Sequence, residues 1–309
     1  MFLKEPVFCR ITKYTVDTGK LETPVKVAIT GDWHVSRIVS DKQCKLLKEK
    51  LSKIRPDVII LQGDLLDAPA ELNDGKMVRA LTKRMRICTK IAPTVMVLGN
   101  HDQADLMHTP PKDYAEYMAN VPKGVVTDWR QICRETGVIL LNDKWFEVKG
   151  LRIFGFLQGP EIYYCKPHQG KRAENFALMK KKIRELGLEG AFAAKDGKVS
   201  WFVAHAPIND LHRMRELKNF EVFSFGHTHG GCVPVGLDYI IDALGGHGGL
   251  IAPFKTLFPP RFMRGREIMK SGASYIVNTG MVMTQDSAPK PLQYMNFLKA
   301  AEITEVIVK

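Results

Sequence analysis

Five apolar runs in this 309-residue chain each end on a small residue followed at once by Asp, Asn or His. VKVAIT (25–30) runs into Gly31-Asp32-Trp33-His34, VIILQ (58–62) into Gly63-Asp64, and TVMVL (94–98) into Gly99-Asn100-His101-Asp102. WFVAHAP (201–207) carries His205, and VFSFGHTHG (222–230) carries His227 and His229. Such runs predict buried strands, and helical patterns between the first three predict parallel βαβ units. In open α/β sheets the ligand sites lie outside the carboxyl ends of the strands. The chain therefore has to fold so that one edge collects all of these polar residues.

Helices are expected from Asp41 through Lys53, where Leu46, Leu47 and Leu51 share a face, from Lys76 to Lys90, and from Arg172 to Leu186. From Val138 the texture changes: VILLN, KWFEVKG and LRIFGFL are short runs joined by Asn142-Asp143 and Lys149-Gly150, which reads as an antiparallel meander. No repeat, low-complexity tract or long linker marks a boundary, so one domain over 1–309 is expected, with a motif-bearing core at 25–231 and C-terminal strands with a basic loop at 232–309. A mixed pair of sheets with helices outside fits this order.

The residue types at the strand ends suit one job. Carboxylate, amide oxygen and imidazole nitrogen together favour Mn, Fe, Zn or similar divalent ions. Residues two apart on an extended loop, as in Asp32-x-His34 and His227-x-His229, point the same way. Gly31, Gly63, Gly99 and Gly226 precede them, where tight turns need freedom from a Cβ. Asp-x-His alone is common by chance and Gly-Asp is weaker still; Gly-Asn-His-Asp and Gly-His-Thr-His are sharper. Five such motifs in order, each at a strand end, make a joint signal that coincidence does not supply.

Those motifs, GDWH, GD, GNHD, the His of AHAP and GHTH, resemble the calcineurin-like metallophosphoesterase pattern in the family's own order. Within it the chain is similar to the bacterial YkuE-like branch, through GHTHGG, Pro253-Phe254 and Glu302-Ile303. The resemblance implies a four-layer α/β/β/α sandwich of two mixed sheets flanked by helices. It implies two divalent ions (Mn, Fe, Zn or Ni), one held by Asp32, His34, Asp64 and His229 and the other by Asp64, Asn100, His205 and His227. Two such ions bind phosphate oxygens and activate a shared water as hydroxide nucleophile. His101 then is the expected general acid for the leaving alkoxide, as the matching family histidine is. For Asp102 two readings stand side by side: it orients His101, or it caps the loop.

Composition bounds the partners. The formal charge of +12 favours anions: nucleic acid, lipid headgroups or small phosphorylated molecules. Six cysteines without a C-x-x-C pair argue against a zinc finger or disulfide framework. No apolar run reaches the ~18 residues of a membrane span, and the N-terminal stretch does not read as a signal peptide; a cytoplasmic protein is expected.

The substrate signal is thinner. Residues 253–270, PFKTLFPPRFMRGREIMK, mix bases with phenylalanines and include Arg261 and Arg264 as candidate substrate contacts, with His247 in GGHGG as a third. The plainer reading of the segment is an irregular loop with a solvated basic edge, and of Lys180–Lys182 a solvated helix face. His108, His168 and His212 fit no motif. Three functions follow: a hydrolase of small or lipid-linked phosphoesters, a DNA nuclease of the repair type suggested by Asp32-Trp33-His34, and a non-catalytic interaction module on the same fold. The sequence leaves the oligomeric state open.

Overall fold

Alternation along the strands sorts the apolar residues into layers. In β2 (Val25–Thr30) Val27 and Ile29 join one apolar cluster and Ala28 another. In β3 (Val58–Leu61) Ile60 goes with the first and Ile59 and Leu61 with the second. This period of two is what a strand covered on both faces requires. The structure is a computed structural model and describes residues 9–35, 41–67, 69–103, 125–159, 172–188, 197–208, 211, 214–229, 268–270, 272–281 and 300–309.

The first sheet is ordered β1-β12-β2-β3-β4-β5, with β1 at Cys9–Val16, β4 at Thr94–Met96, β5 at Ile139–Leu140 and β12 at Ala301–Val308. β2 through β5 run parallel, while β12 is antiparallel to β2 and parallel to β1. Helices α1 (Asp41–Ile54), α2 (Gly75–Thr89) and α4 (Val125–Thr136) supply crossovers, and their apolar residues Leu47, Leu51, Leu81, Met85 and Ile132 pack on this sheet's outer face. A short α3 spans Asn100–Gln103.

The second sheet is ordered β10-β11-β9-β8-β7-β6: β6 Lys144–Val148, β7 Leu151–Gly155, β8 Val199–Val203, β9 Val222–Phe225, β10 Ile268–Lys270 and β11 Ala273–Val277. β7, β8, β9 and β11 are mutually parallel, with antiparallel hairpins at the edges. Ile153, Trp201 and Val203 meet the first sheet's Val27, Ile29 and Ile60 in the central layer. Phe154, Phe202 and Phe223 face outward, under Met179 and Ile183 of α5 (Arg172–Glu185). The result is the expected four layers, α/β/β/α.

Two local readings change. The meander from Val138 does not form, because β5 pairs parallel to β4 in the first sheet and only β6–β7 is an antiparallel hairpin. The reason is that α4 precedes β5 and completes a crossover, whereas β6 starts across the sandwich. Nor is the lysine run wholly solvated. Lys181 is exposed, but Lys182 places its ammonium 4.8 Å from the centre of the Phe156 ring and 2.9 Å from Asp143. Its stem covers apolar surface while its charge stays paired.

Candidate metal centre

Parallel registration of β2, β3 and β4 in one sheet, and of β8, β9 and β11 in the other, opens their carboxyl ends at one edge. Beyond the strands the β2 and β3 loops stay locked together. The Asp32 N–H donates to the Gly63 carbonyl at 2.8 Å, His34 to Asp64 at 3.0 Å and Val35 to Leu65 at 2.9 Å. Gly99 is needed for closeness: a Cβ there would fall inside the Asp64 backbone and carboxylate. Gly63, at φ 85°, needs the left-handed freedom itself.

Asp32, His34, Asp64 and His229 place one ligand atom each within 4.8 Å of one another, and Asp64, His205 and His227 do the same. Asp64 belongs to both groups. The Asn100 Oδ1 lies 3.1 Å from the His205 Nε2. Every metal-type residue singled out in the sequence is thus brought to one place, buried except at the rim, where His229 is half-buried and His227 exposed.

Hydrogen bonds fix which nitrogens are available. His34 Nδ1 lies 3.1 Å from the Asp67 carboxylate and His205 Nδ1 2.6 Å from the Gln62 carbonyl. Both partners are acceptors, so Nδ1 carries a proton and Nε2 is the nitrogen left for a metal ion. Those Nε2 atoms turn inward: the His34 Nε2 is 3.2 Å from the His229 Nε2, and the His205 Nε2 is 3.1 Å from the His227 Nδ1. Asp64 Oδ1 accepts the His101 N–H at 2.8 Å. Its Oδ2 is fully buried without a hydrogen bond of acceptable geometry, although the His205 Nε2 approaches to 3.0 Å. A cluster of buried carboxylates and imidazoles is an expensive arrangement by itself. It becomes favourable around cations, so the donor set fits two metal ions.

Electrostatics agree. Burial alone would raise the Asp64 pKa, but the His205, His101 and His34 imidazoles outweigh it and hold the carboxyl well below its usual range. Burial would depress His205, yet Asp64 and Asp32 lift it to about 9. Strain gathers here too. Among the described residues eight non-glycines have positive φ, and five of them are Asp32, His34, Asp64, His227 and His229. Left-handed backbone at such residues persists where the surroundings over-determine it.

His101 stands beside the centre, its ring edge-on to His34 with centroids 4.8 Å apart. Its Nδ1 lies 2.7 Å from the Asp67 carbonyl. The bonds of Asp102 run to the backbone. Its two oxygens accept N–H groups from Leu65 at 2.9 Å, Leu66 at 3.2 Å and Gly99 at 2.9 Å, which is the loop-bracing alternative. Three backbone donors hold the carboxylate, while the Nδ1 of His101 is held by Asp67 instead.

Sequence reasoning missed Asp67, which touches His34 through its carboxylate and His101 through its carbonyl. The signal was available, since GDLLD sets a second carboxylate three residues after Asp64. It also missed Gln158, whose side chain bonds both the N–H (2.6 Å) and C=O (3.1 Å) of Ala206, next to His205. His247, Arg261 and Arg264 lie outside the described residues, as do residues 104–124 and 160–171.

Comparison with known proteins places this geometry. An uncharacterized metallophosphoesterase of Aquifex aeolicus is 28% identical over 100 residues, 32% of this chain and 36% of its own length. The chain thus matches about a third of that relative. Among solved structures, a dimetal phosphatase from Danio rerio aligns at 11% identity and TM-score 0.45 over 85% of this chain and 90% of its own. GAP50, the anchor in the inner membrane complex of Plasmodium, aligns at 12% identity and TM-score 0.38 over 84% and 72%. A model of the calcineurin-like phosphoesterase family matches residues 25–231, more than half of the chain, and takes in every motif from Asp32 to His229. The chain belongs to the calcineurin-like phosphoesterase family.

Proposed function

We propose that this protein hydrolyses phosphate esters with two divalent metal ions. One would be held by Asp32, His34, Asp64 and His229, the other by Asp64, Asn100, His205 and His227. The observation that carries this reading is Asp64, a buried carboxylate shared by the two groups of ligand atoms where they meet. When bound, the ions supply Lewis acidity at phosphoryl oxygens and acidify water. Manganese is the first ion to try, since mixed oxygen and imidazole donors suit it.

The chain's own residues do the rest. His34 and His205 turn Nε2 toward the centre because Asp67 and Gln62 hold their other nitrogens. Asp102 ties the Asp64 loop to the Asn100 loop, keeping ligands from two strands in register. His101 is the proton donor to the leaving oxygen. Its Nδ1 proton is committed to Asp67, so the transferable proton is on Nε2 of the imidazolium. Burial, the largest influence on His101, lowers its pKa, so its help is greatest toward acidic pH.

The formal charge of +12 supports an anionic substrate, small, lipid-linked or nucleic acid. Among the described residues no helix is long and apolar enough to cross a membrane. Buried free thiols at Cys9, Cys44, Cys88 and Cys133 support a reducing compartment, the cytoplasm.

The test is hydrolysis of bis-p-nitrophenyl phosphate and p-nitrophenyl phosphate by metal-depleted protein with Mn²⁺ restored, for wild type and Asp64→Ala. Mn²⁺-dependent turnover that falls to background in Asp64→Ala is expected, and the preferred ester separates diesterase from monoesterase. Binding of no metal by the wild type would instead leave the interaction-module reading.

A further inference from the structure

The family match stops at residue 231, yet chain beyond it reaches the centre. β11 lies parallel beside β9, so its carboxyl end opens at the same edge. There Asn278-Thr279-Gly280-Met281 turns against Asp32. The Met281 N–H donates to the Gly31 carbonyl at 3.2 Å and the Asp32 carbonyl at 3.3 Å. Gly280, at φ 72°, comes so near that a Cβ would overlap the Asp32 Cβ and stand 3.0 Å from its Oδ2.

This turn is held from behind by Glu302 on β12. Glu302 Oε2 accepts the Thr279 N–H at 3.1 Å and the Thr279 hydroxyl, and the Glu302 N–H donates to the Gly280 carbonyl at 3.0 Å. Oε1 takes the Thr12 hydroxyl, and Arg10 lies 3.3 Å from Oε2. Asn278 closes the turn internally, accepting the Gly280 N–H at 2.9 Å while donating to the Ile29 carbonyl at 3.3 Å and the Thr304 hydroxyl at 3.0 Å. Glu302 and Asn278 are fully buried. A carboxylate in a central strand is costly unless it is fully bonded; here its bonds go to a turn, and the turn goes to Asp32.

We infer that Glu302, acting through Thr279 and Gly280, is a positioning residue that sets the Asp32 carboxylate for the metal ion it shares with His34, Asp64 and His229. The inference rests on the ligand assignment under the proposed function. Asp32 sits at φ 46° and takes the His227 N–H at 3.1 Å on both oxygens, so a shift of its backbone moves a ligand that two elements already hold. Partners that orient a ligand are worth about 10–100-fold in metal affinity.

The experiment is Mn²⁺ titration of the metal-depleted full chain by calorimetry, with circular dichroism melts, for wild type, Asp32→Ala, Gly280→Ala, Thr279→Val and Thr279→Ser. Gly280→Ala and Thr279→Val should each weaken one Mn²⁺ site about 10–100-fold, the same site that Asp32→Ala loses, and Thr279→Ser, which keeps the hydroxyl, should restore it. Wild-type binding by Gly280→Ala and Thr279→Val, with one site lost in Asp32→Ala, overturns the inference alone. Two wild-type sites in Asp32→Ala overturn the ligand assignment and the inference with it. Equal weakening of both sites with a lowered melting temperature, in both Thr279 variants, marks a purely structural turn and also overturns it.

Discussion

The two ends of the sandwich handle charge in opposite ways. At the amino ends of the strands Asp57 pairs with Lys149 and accepts the Lys26 N–H at 2.8 Å, Lys20 pairs with Glu221, and Glu147 meets Arg152 and Lys198. Most of these side chains reach water: Lys149 is 61% and Glu147 50% exposed. Each pair satisfies itself and is worth about 0–1 kcal/mol. At the carboxyl ends Asp32, Asp64 and His205 are wholly buried, carboxylates and imidazoles crowd together, and left-handed backbone is concentrated. Pairs that neutralise each other in water need nothing further, whereas buried metal-type donors converging on one spot suit a cation. That difference, more than the presence of charge, distinguishes a metal centre from an ordinary polar rim.

The sharpest probe of the contrast is His101→Ala. Turnover of an ester with a poor leaving group should drop roughly 10²–10⁴-fold while Mn²⁺ content stays normal. An unchanged rate would make His101 a bystander and remove proton transfer from this end. Asp102→Ala comes next. It strips the acceptor from the buried Leu65, Leu66 and Gly99 N–H groups, each costing about 1–3 kcal/mol unsatisfied. Urea unfolding of the metal-free protein should show a loss of at least about 3 kcal/mol. A loss near that of a surface pair would mean this carboxylate is as replaceable as those at the amino ends.

The metal-free protein should also respond to pH through His205. Its pKa of about 9 when folded lies above the ordinary 6.5. A raised imidazole stabilises fully below the unfolded value and loses that contribution as pH climbs through the folded one. Without metal, stability from this group should fall between pH 6.5 and 9, by no more than about 3 kcal/mol. Manganese takes the neutral imidazole, so its stabilising effect grows over the same interval. Melting temperatures with chelator and with Mn²⁺ should diverge from pH 6.5 to 9. A constant gap would count against the Asp64–His205 pairing.

How much of this was legible depended on where each residue's chemistry is spent. Ligand candidates announce themselves because a metal demands particular donors and strand ends supply them, so Asp32 through His229 were readable without a fold. Layering was expected from the order of strands and helices and from the family resemblance, since the continuous apolar runs of β2 and β3 do not by themselves sort residues into faces. Asp67, Glu302 and the Asn278–Gly280 turn act on backbone groups and on residues far along the chain, and their types suit any polar loop. Asp102 could be narrowed to two roles but not to one, since only the fold brings the Leu65 and Leu66 amides to its oxygens. Strand β5 was misread because two residues carry no sheet preference; the crossover through α4 decides it.

The smallest effect tests whether strain at the amino end is idle. Lys149-Gly150 is the two-residue loop between paired Val148 and Leu151, with φ of 46° and 80°. Both positive angles favour Asn-Gly, and lysine is disfavoured in the left-handed region. Lys149→Asn should relieve that strain by a few tenths to about 1 kcal/mol and forfeit the Asp57 ion pair, worth a similar amount. The two nearly cancel at low salt. Near 1 M salt, where the screening length is about 3 Å, the pair contributes little and the variant should be the more stable protein. Chemical unfolding at both salt concentrations measures this, with Mn²⁺ binding as control. If strain here can be removed with metal affinity unchanged, left-handed backbone alone does not make a site. A variant that weakened metal binding from this distance would instead join the two ends into one coupled unit, and the contrast between them would fail.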